Sequence, residues 1–334
     1  MVPENTPQEN IAIIREVTGF NQKVSPITYP GCPLYIGGQR IIYYSDLAAK
    51  ITRKISGWQY RLLSFGGKST MVKHVLQSIP IHTMPAISPP KTTIRYMKQA
   101  IADFFWGWDK EKRKYHWASW DKMSLPYDEG GIGVRKLEDI CISLQIKQWW
   151  IFRSKQTLWG QFLRAKYCQR AHLVAKKLDT GQCLIWNFMM RNKGIADTQI
   201  KWKSNSGNSF FWWDDWFGEG PLASYCPHVT SLNTTKISQF LVGGTWNETM
   251  VRQWVPPLLV PKILSFPIHY QEQIPDEAIW KLTVDGLFSC SSAWEITRQK
   301  GTKSIINKGI WHRHLPFKIS FLAWRALRNK LPTN

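Results

Sequence analysis

The apolar positions of this chain recur mainly at helical spacing. Leu47, Ile51, Ile55 and Trp58 fall at i, i+4, i+8 and i+11, one face of a helix predicted from about residue 45 to 56, with Ser45 as N-cap. Lys50 and Arg53 project away from that face, and Lys54 lies near its border. Gly66-Gly67 reads as a turn, and Ser69 as the cap of a second helix whose stripe is Val72, Val75, Leu76 and Ile79. Pro80 and Pro85 end it. A third helix is predicted from about residue 90 to 106, with Ile94, Met97, Ile101, Phe104 and Phe105 inward. A fourth runs from about residue 137 to 153, carrying Ile140, Leu144, Trp149 and Phe152, and shorter ones are predicted near 159–167 and 182–192.

The period then changes. Ile200 and Trp202 alternate with Lys201 and Lys203, Ser204-Asn205-Ser206-Gly207-Asn208 reads as a turn, and Phe210 and Trp212 alternate on the return, which predicts a β-hairpin. Residues 224–278 are rich in Pro, Ser and Thr and read as a loose connector with one or two short helices. A second hairpin is predicted from residues 279–282 and 287–290 around Val284-Asp285-Gly286. A helix then starts near Ser291, and a last one follows Leu315-Pro316-Phe317 and stops before Pro332. The predicted fold class is mainly α with small β-hairpins (α+β). Four segments are expected: 1–40 as a lead-in and extended joint, 41–135 as a helical domain, 136–278 as a connector with helices and a hairpin, and 279–334 as a terminal domain.

At 334 residues the chain can bury a sizeable core, and its apolar content of 43% is ordinary. No run approaches the ~20 uncharged apolar residues that span a bilayer, and the polar start Met1–Glu9 has no apolar signal core. An intracellular protein, nuclear or cytoplasmic, with no membrane partner is expected. Six cysteines at wide, irregular spacing with no C-x-x-C pair fit reduced thiols. The formal net charge is +21, with 25 Lys and Arg against 12 Asp and Glu in residues 1–170 and 19 against 11 thereafter. Such an excess points to a phosphate-rich partner, because cations displace condensed counterions from nucleic acid.

Tryptophan is unusually frequent at 19 residues. Stacking on a base contributes ~1–3 kcal/mol, whereas burying a ring removes ~150–250 Å² from water, about 4–6 kcal/mol gross at ~25 cal/mol per Å². Most of these rings are therefore expected in the core.

Several motifs invite chemistry that their context denies. Gly67-Lys68-Ser69 ends like a phosphate-binding loop, but the glycine that loop needs at position 62 is Leu62. Trp212-Trp213-Asp214-Asp215 resembles a polymerase carboxylate pair, yet two-metal phosphoryl transfer also needs a third carboxylate from a neighbouring strand. It reads instead as a turn in which an aspartate caps backbone N–H groups. Cys226-Pro227-His228 and His312-Arg313-His314 lack the paired spacing of a structural zinc site. No nucleophile elbow is present. Neither catalytic residues nor metal ligands are expected, and no cofactor is assigned to this chain.

Certain landmarks recur in a fixed order. Gly31-Cys32-Pro33-Leu34-Tyr35-Ile36-Gly37 comes first, then Trp58-Gln59-Tyr60-Arg61-Leu62-Leu63-Ser64-Phe65-Gly66-Gly67-Lys68-Ser69-Thr70. Phe104-Phe105-Trp106-Gly107-Trp108, His116-Trp117-Ala118-Ser119-Trp120 and Gly130-Gly131-Ile132-Gly133-Val134 follow. Phe211, Trp212, Asp214 and Trp216 come next, and the C-terminal end carries Asp285-Gly286-x-Phe288-Ser289 and Trp324-Arg325. This order resembles the region after the catalytic palm in plant LINE-type (non-LTR) retrotransposon reverse transcriptases, with Pro30 where that family usually has Leu.

The resemblance implies a palm-exit joint (1–40), a helical thumb-like domain (41–135), a connector (136–278) and the first half of a reverse transcriptase zinc-binding domain (279–334). It implies that the complete protein is an RNA-directed DNA polymerase that uses magnesium and carries zinc, with the zinc ligands beyond Thr333. This portion, lacking the palm, would grip primer–template, either RNA–DNA hybrid or duplex, and be inactive alone. Lys50, Arg53, Lys54, Arg61, Lys68 and Lys73 are the expected phosphate contacts. A second reading is a stand-alone, non-catalytic nucleic-acid-binding or interaction protein descended from such an element.

Overall fold

The structure, a computed structural model, describes residues 6–19, 27–29, 32–35, 39–57, 63–85, 88–107, 115–169, 171–230 and 234–331. Among these the helices are α1 (Gln8–Thr18), α2 (Ser45–Ser56), α3 (Phe65–Met71), α4 (Lys91–Trp106), α5 (Trp120–Met123), α6 (Leu137–Ser154) and α7 (Leu158–Tyr167). They continue as α8 (Leu184–Asp197), α9 (Glu248–Trp254), α10 (Val260–Leu264), α11 (Cys290–Thr297), α12 (Ile305–Ile310) and α13 (Phe317–Ala326). Six short strands make three antiparallel pairs: β1 (Ile27–Tyr29) with β2 (Cys32–Leu34), β3 (Ile200–Lys203) with β6 (Glu277–Trp280), and β4 (Leu241–Val242) with β5 (Thr245–Trp246). The fold is mainly α with small two-stranded β elements. None of the described helices is long and apolar enough to cross a membrane.

The chain forms two compact units, one of Met1–Met123 with Ile305–Asn334 and the other of Ser124–Ser304. The terminal segment expected over 279–334 is thus divided between them.

In the first unit, α2 and α4 pack through the predicted stripes: Leu47 and Ile51 from one, Ile94, Met97 and Ile101 from the other are buried. Trp58 lies outside the described residues. Ser45 is not an N-cap; its hydroxyl donates back to the Ile42 carbonyl at 2.8 Å. The glycine pair is not a turn either. Ser64 caps α3 by accepting from the Gly67 N–H at 3.2 Å, which places both glycines inside the first helical turn and buries Ser69. A Cβ on Gly66 would stand 3.2 Å from the Phe317 Cβ, so the missing side chain serves the close approach of α13. The rings of Phe65, Phe105, Trp106 and Phe321 cluster beneath, with centroids 4.8 to 6.1 Å apart. α3 runs on into a π-helical turn, Val72–Leu76, which buries Val72 and Leu76.

The second unit begins with Gly130-Gly131-Ile132-Gly133, and the structure explains its glycines. A Cβ on Gly131 would lie 1.8 Å from the Leu125 carbonyl oxygen, and Gly130 and Gly133 hold φ of 84° and 70°. The Glu129 carboxylate meets Arg298 in two bonds of 2.6 and 2.7 Å and accepts from the Gly301 N–H at 2.7 Å, tying the start of the unit to its end. That fork holds the Glu129 carboxyl below its usual range, against the opposing effect of burial.

One core of this unit packs α6, α8 and α11 around Trp149, Trp150, Phe152, Trp186 and Trp280. A second gathers Phe211, Trp212 and Trp216 against Ile237, Phe240, Val251 and Ile263. Residues 224–278 are therefore no loose connector: they supply eight of the twelve buried residues of that second core. Of the 17 tryptophans among the described residues, nine are buried, seven are partly buried and one, Trp254, is exposed.

Neither predicted hairpin forms. β3 pairs with β6 instead, in the register Ile200↔Trp280 to Lys203↔Glu277. The reason is Asp276, whose carboxylate accepts from the N–H groups of Asn205, Gly207 and Ser209 and from the Ser206 and Ser209 hydroxyls. The polar stretch read as a hairpin turn wraps this carboxylate, and Phe210 makes only an isolated bridge with Lys236. In the second case β6 has no local return strand. Ser289 caps α11 at Cys290, accepting from the Ser292 N–H at 3.1 Å.

Candidate nucleic-acid interface

Three of the six proposed contacts come together on α2. Lys50, Arg53 and Lys54 stand at i, i+3 and i+4 on the flank of α2 beside the Leu47 and Ile51 face, with Lys54 at its border, and all three are exposed. None has an acidic partner within ion-pair distance among the described residues. Asp46 in the first turn and Arg53 and Lys54 in the last suit the helix dipole. The cationic end therefore costs the isolated helix little, although Lys50 and Lys54 repel one another at i,i+4.

Two shallow grooves flank this face. One, of about 400 Å³, is bounded by Lys50, Arg53, Lys54, Gly57 and Ile79. The other, of about 570 Å³, runs past Ser45, Thr52, Arg53, Ser56 and Tyr96. Arg53 borders both. Tyr96, on α4, is 56% exposed beside the exposed Arg95. The sequence reasoning missed it. Its signal was positional: an aromatic on the polar side of a helix whose stripe is Ile94, Met97 and Ile101.

The other proposed contacts fare differently. Arg61 lies outside the described residues. Lys68 is only 8% exposed, its ammonium 5.8 Å from the centre of the Phe65 ring, so it is not a surface cation. Lys73, on the π-helical turn, is half-buried, and burial lowers its ammonium to about 8. The sequence Gly67-Lys68-Ser69 is helix, not a phosphate loop.

The acidic and metal-like motifs are spent on internal structure. Asp214 receives the Arg153 guanidinium at 2.6 Å on one oxygen and the Phe210 N–H at 2.8 Å on the other. Asp215 receives the Gly218 and Gly220 N–H groups at 2.7 and 3.1 Å and the Lys281 ammonium at 2.6 Å. All four oxygens are engaged, so the pair does not fit two magnesium ions. Phe211, Trp212 and Trp216 around them are core. Cys226 is buried among apolar side chains, which pushes its thiol up and away from the thiolate that zinc needs. Among the described residues no three His, Cys, Asp or Glu side chains converge on a possible metal position.

Nearby, His172 packs its ring 4.4 Å from Phe210 and 5.8 Å from Trp213. Its Nδ1 accepts from the Val174 N–H at 3.3 Å. Burial, helped by the charges of Arg153 and Lys193, lowers it to about 2, so it stays neutral.

Comparison with known proteins agrees with part of this picture. Residues 288–334 match a family described as zinc-binding in reverse transcriptase. Over 300 residues the chain is 25% identical to the putative ribonuclease H protein At1g65750 of Arabidopsis thaliana, a match covering 84% of this chain and 47% of that protein. Over 149 residues it is 24% identical to the uncharacterized mitochondrial protein AtMg00310 of the same plant, covering 43% of this chain and 97% of that one. The chain thus spans about half the length of the first of these relatives, and it carries a reverse-transcriptase-related segment at its C-terminal end.

Proposed function

We propose that this chain is the nucleic-acid-gripping portion of a retrotransposon-type reverse transcriptase of the LINE, non-LTR kind. In this reading α2 and α4 belong to a thumb-like lobe. Lys50, Arg53 and Lys54 meet successive phosphates of an RNA–DNA hybrid or duplex, and Tyr96 borders the groove beside them. The observation that carries the reading is the α2 face itself. Three exposed cations share one helix face with no acid to pair with, an arrangement that repels itself until a polyanion arrives. The reverse-transcriptase match over 288–334 and the order of the sequence landmarks support the class of protein. In this reading the chain does not perform phosphoryl transfer by itself, and the one aspartate pair that resembles a polymerase motif, Asp214-Asp215, is engaged by Arg153, Lys281 and backbone N–H groups. Magnesium and zinc chemistry belongs to other parts of such a protein.

Salt-titrated binding to an RNA–DNA hybrid tests the grip. Each phosphate contact contributes a slope of about −0.9 in log affinity against log salt. Lys50→Ala, Arg53→Ala and Lys54→Ala combined should flatten the slope by about 3 units. An unchanged slope sinks the α2 assignment. Primer extension by the purified chain would sink the non-catalytic part.

A further inference from the structure

We infer that the second unit carries a separate site for single-stranded nucleic acid, in the groove between α6 and the β3–β6 pair. This groove has a volume of about 920 Å³, within the range of small-ligand sites and enough for a nucleotide of a passing strand. One wall is a face of α6, where Lys147, Trp150, Ile151 and Ser154 line the cavity, and Lys155 follows in extended backbone just past the helix end. Lys147 lies about two turns before the helix end that Lys155 follows. The opposite wall brings Lys203 at the end of β3, and Phe288 closes the side. Lys147, Lys155 and Lys203 are exposed, and none of their ammonium groups has a hydrogen bond or ion pair among the described residues.

The aromatic floor is pre-built. Trp150 and Phe288 lie nearly parallel, 25° apart with centroids at 6.1 Å, and both are braced by Trp280. Trp150 is a core ring, 7% exposed, that backs the half-buried Phe288. A fixed ring flanked by unpaired lysines is what a sequence-tolerant single-strand site uses, a base packing on Phe288 while its phosphates meet the cations. The two acids on the lining do not cancel this. The Asp276 carboxylate is turned into the 205–209 loop and accepts five bonds there. Glu277 stands opposite Lys203 in the strand register, an acceptor for a base N–H such as that at N3 of uracil. The groove is narrower in purpose than α2: a duplex hides its base faces, whereas a single strand can offer one to Phe288.

The test is fluorescence anisotropy on the full chain with two probes, a labelled oligouridine of about 12 nucleotides and a labelled RNA–DNA hybrid. Lys147→Ala, Lys155→Ala and Lys203→Ala combined should weaken oligouridine binding at least about 10-fold and flatten its salt slope by about 2 units, at about −0.7 per contact. Hybrid affinity should stay within about 2-fold, while the α2 triple variant shows the reverse pattern. Circular dichroism should show unchanged unfolding, since all three lysines are exposed. Photocrosslinking of 5-bromouridine probes should map to residues 147–155 or 287–288, which needs no substitution at all. Unchanged oligouridine binding in the groove variant, equal loss with both probes, or crosslinks confined to the first unit would each overturn the inference. Failure of the α2 variant to affect hybrid binding would overturn the reading of that helix and leave the groove standing.

Discussion

Two charged regions of this molecule look alike in composition and differ in partners. On α2, Lys50, Arg53 and Lys54 project from an exposed helix face toward shallow grooves. Around Asp214 and Asp215, Arg153 and Lys281 are held by the carboxylates at 2.6 Å, with backbone N–H groups filling the remaining oxygens. The first set is unsatisfied until something anionic arrives; the second is satisfied by the fold. A polar motif becomes a candidate site only when the tertiary structure leaves its charges without partners. By that criterion the aspartate pair, the more suggestive of the two by sequence, is architecture.

Four measurements would break or sharpen this contrast. The largest effect should come from Arg153→Ala, which strands the Asp214 carboxylate in a buried setting where both partners' side chains are about 4% and 3% exposed. A loss of about 3–5 kcal/mol in the urea unfolding free energy is expected. A loss below about 1 kcal/mol, the scale of an exposed pair, would mean the charges are solvated and the contrast with α2 is false.

Next comes Gly131→Ala, whose Cβ would overlap the Leu125 carbonyl oxygen. It should cost about 3 kcal/mol in the same assay, because the obstacle is backbone and cannot rotate away. A neutral result would remove the structural explanation of that glycine motif.

A smaller effect should follow pH. The unfolded His172 takes up a proton below about pH 6.5, whereas the folded one resists until about 2. The unfolded chain then holds more protons, so stability is fully present above pH 6.5 and falls as the pH drops through this window. Chemical denaturation at pH 7.5 and 5.5 should show the decline, and His172→Gln should reduce it.

The smallest stability effect belongs to the α2 triple alanine variant. Its urea midpoint should shift by no more than about 0.5 kcal/mol equivalent, since exposed substitutions away from buried features do little. A large loss would show that these cations hold the fold together and are not reserved for a ligand.

The particular elements show where sequence was sufficient. α4 and α6 were legible because their stripes, Ile94–Met97–Ile101 and Ile140–Leu144–Phe152, bury along one helix face, and that spacing is local. The β4–β5 hairpin was legible but overlooked: Gly243 and Gly244 hold positive φ between Leu241-Val242 and Thr245-Trp246, the two-glycine turn that such a hairpin favours. β3 was not legible. Its partner lies more than seventy residues away, and the turn-like residues after it are recruited by Asp276. Lys68 looked like a surface cation because a neighbouring glycine pair suggested a turn, and only the Ser64 cap reveals the helix that buries it.

The amino-acid sequence by itself determined the helix-rich class, the full or partial burial of nearly all the described tryptophans and the excess positive charge, because periodicity and composition act over a few residues or over the whole surface. Tertiary structure decided which strand pairs with which, which glycines are spaces for packing, and which charges are already matched. Those outcomes rest on contacts between residues far apart in the chain, and a buried carboxylate or an exposed lysine acquires its meaning from the groups that the fold brings beside it.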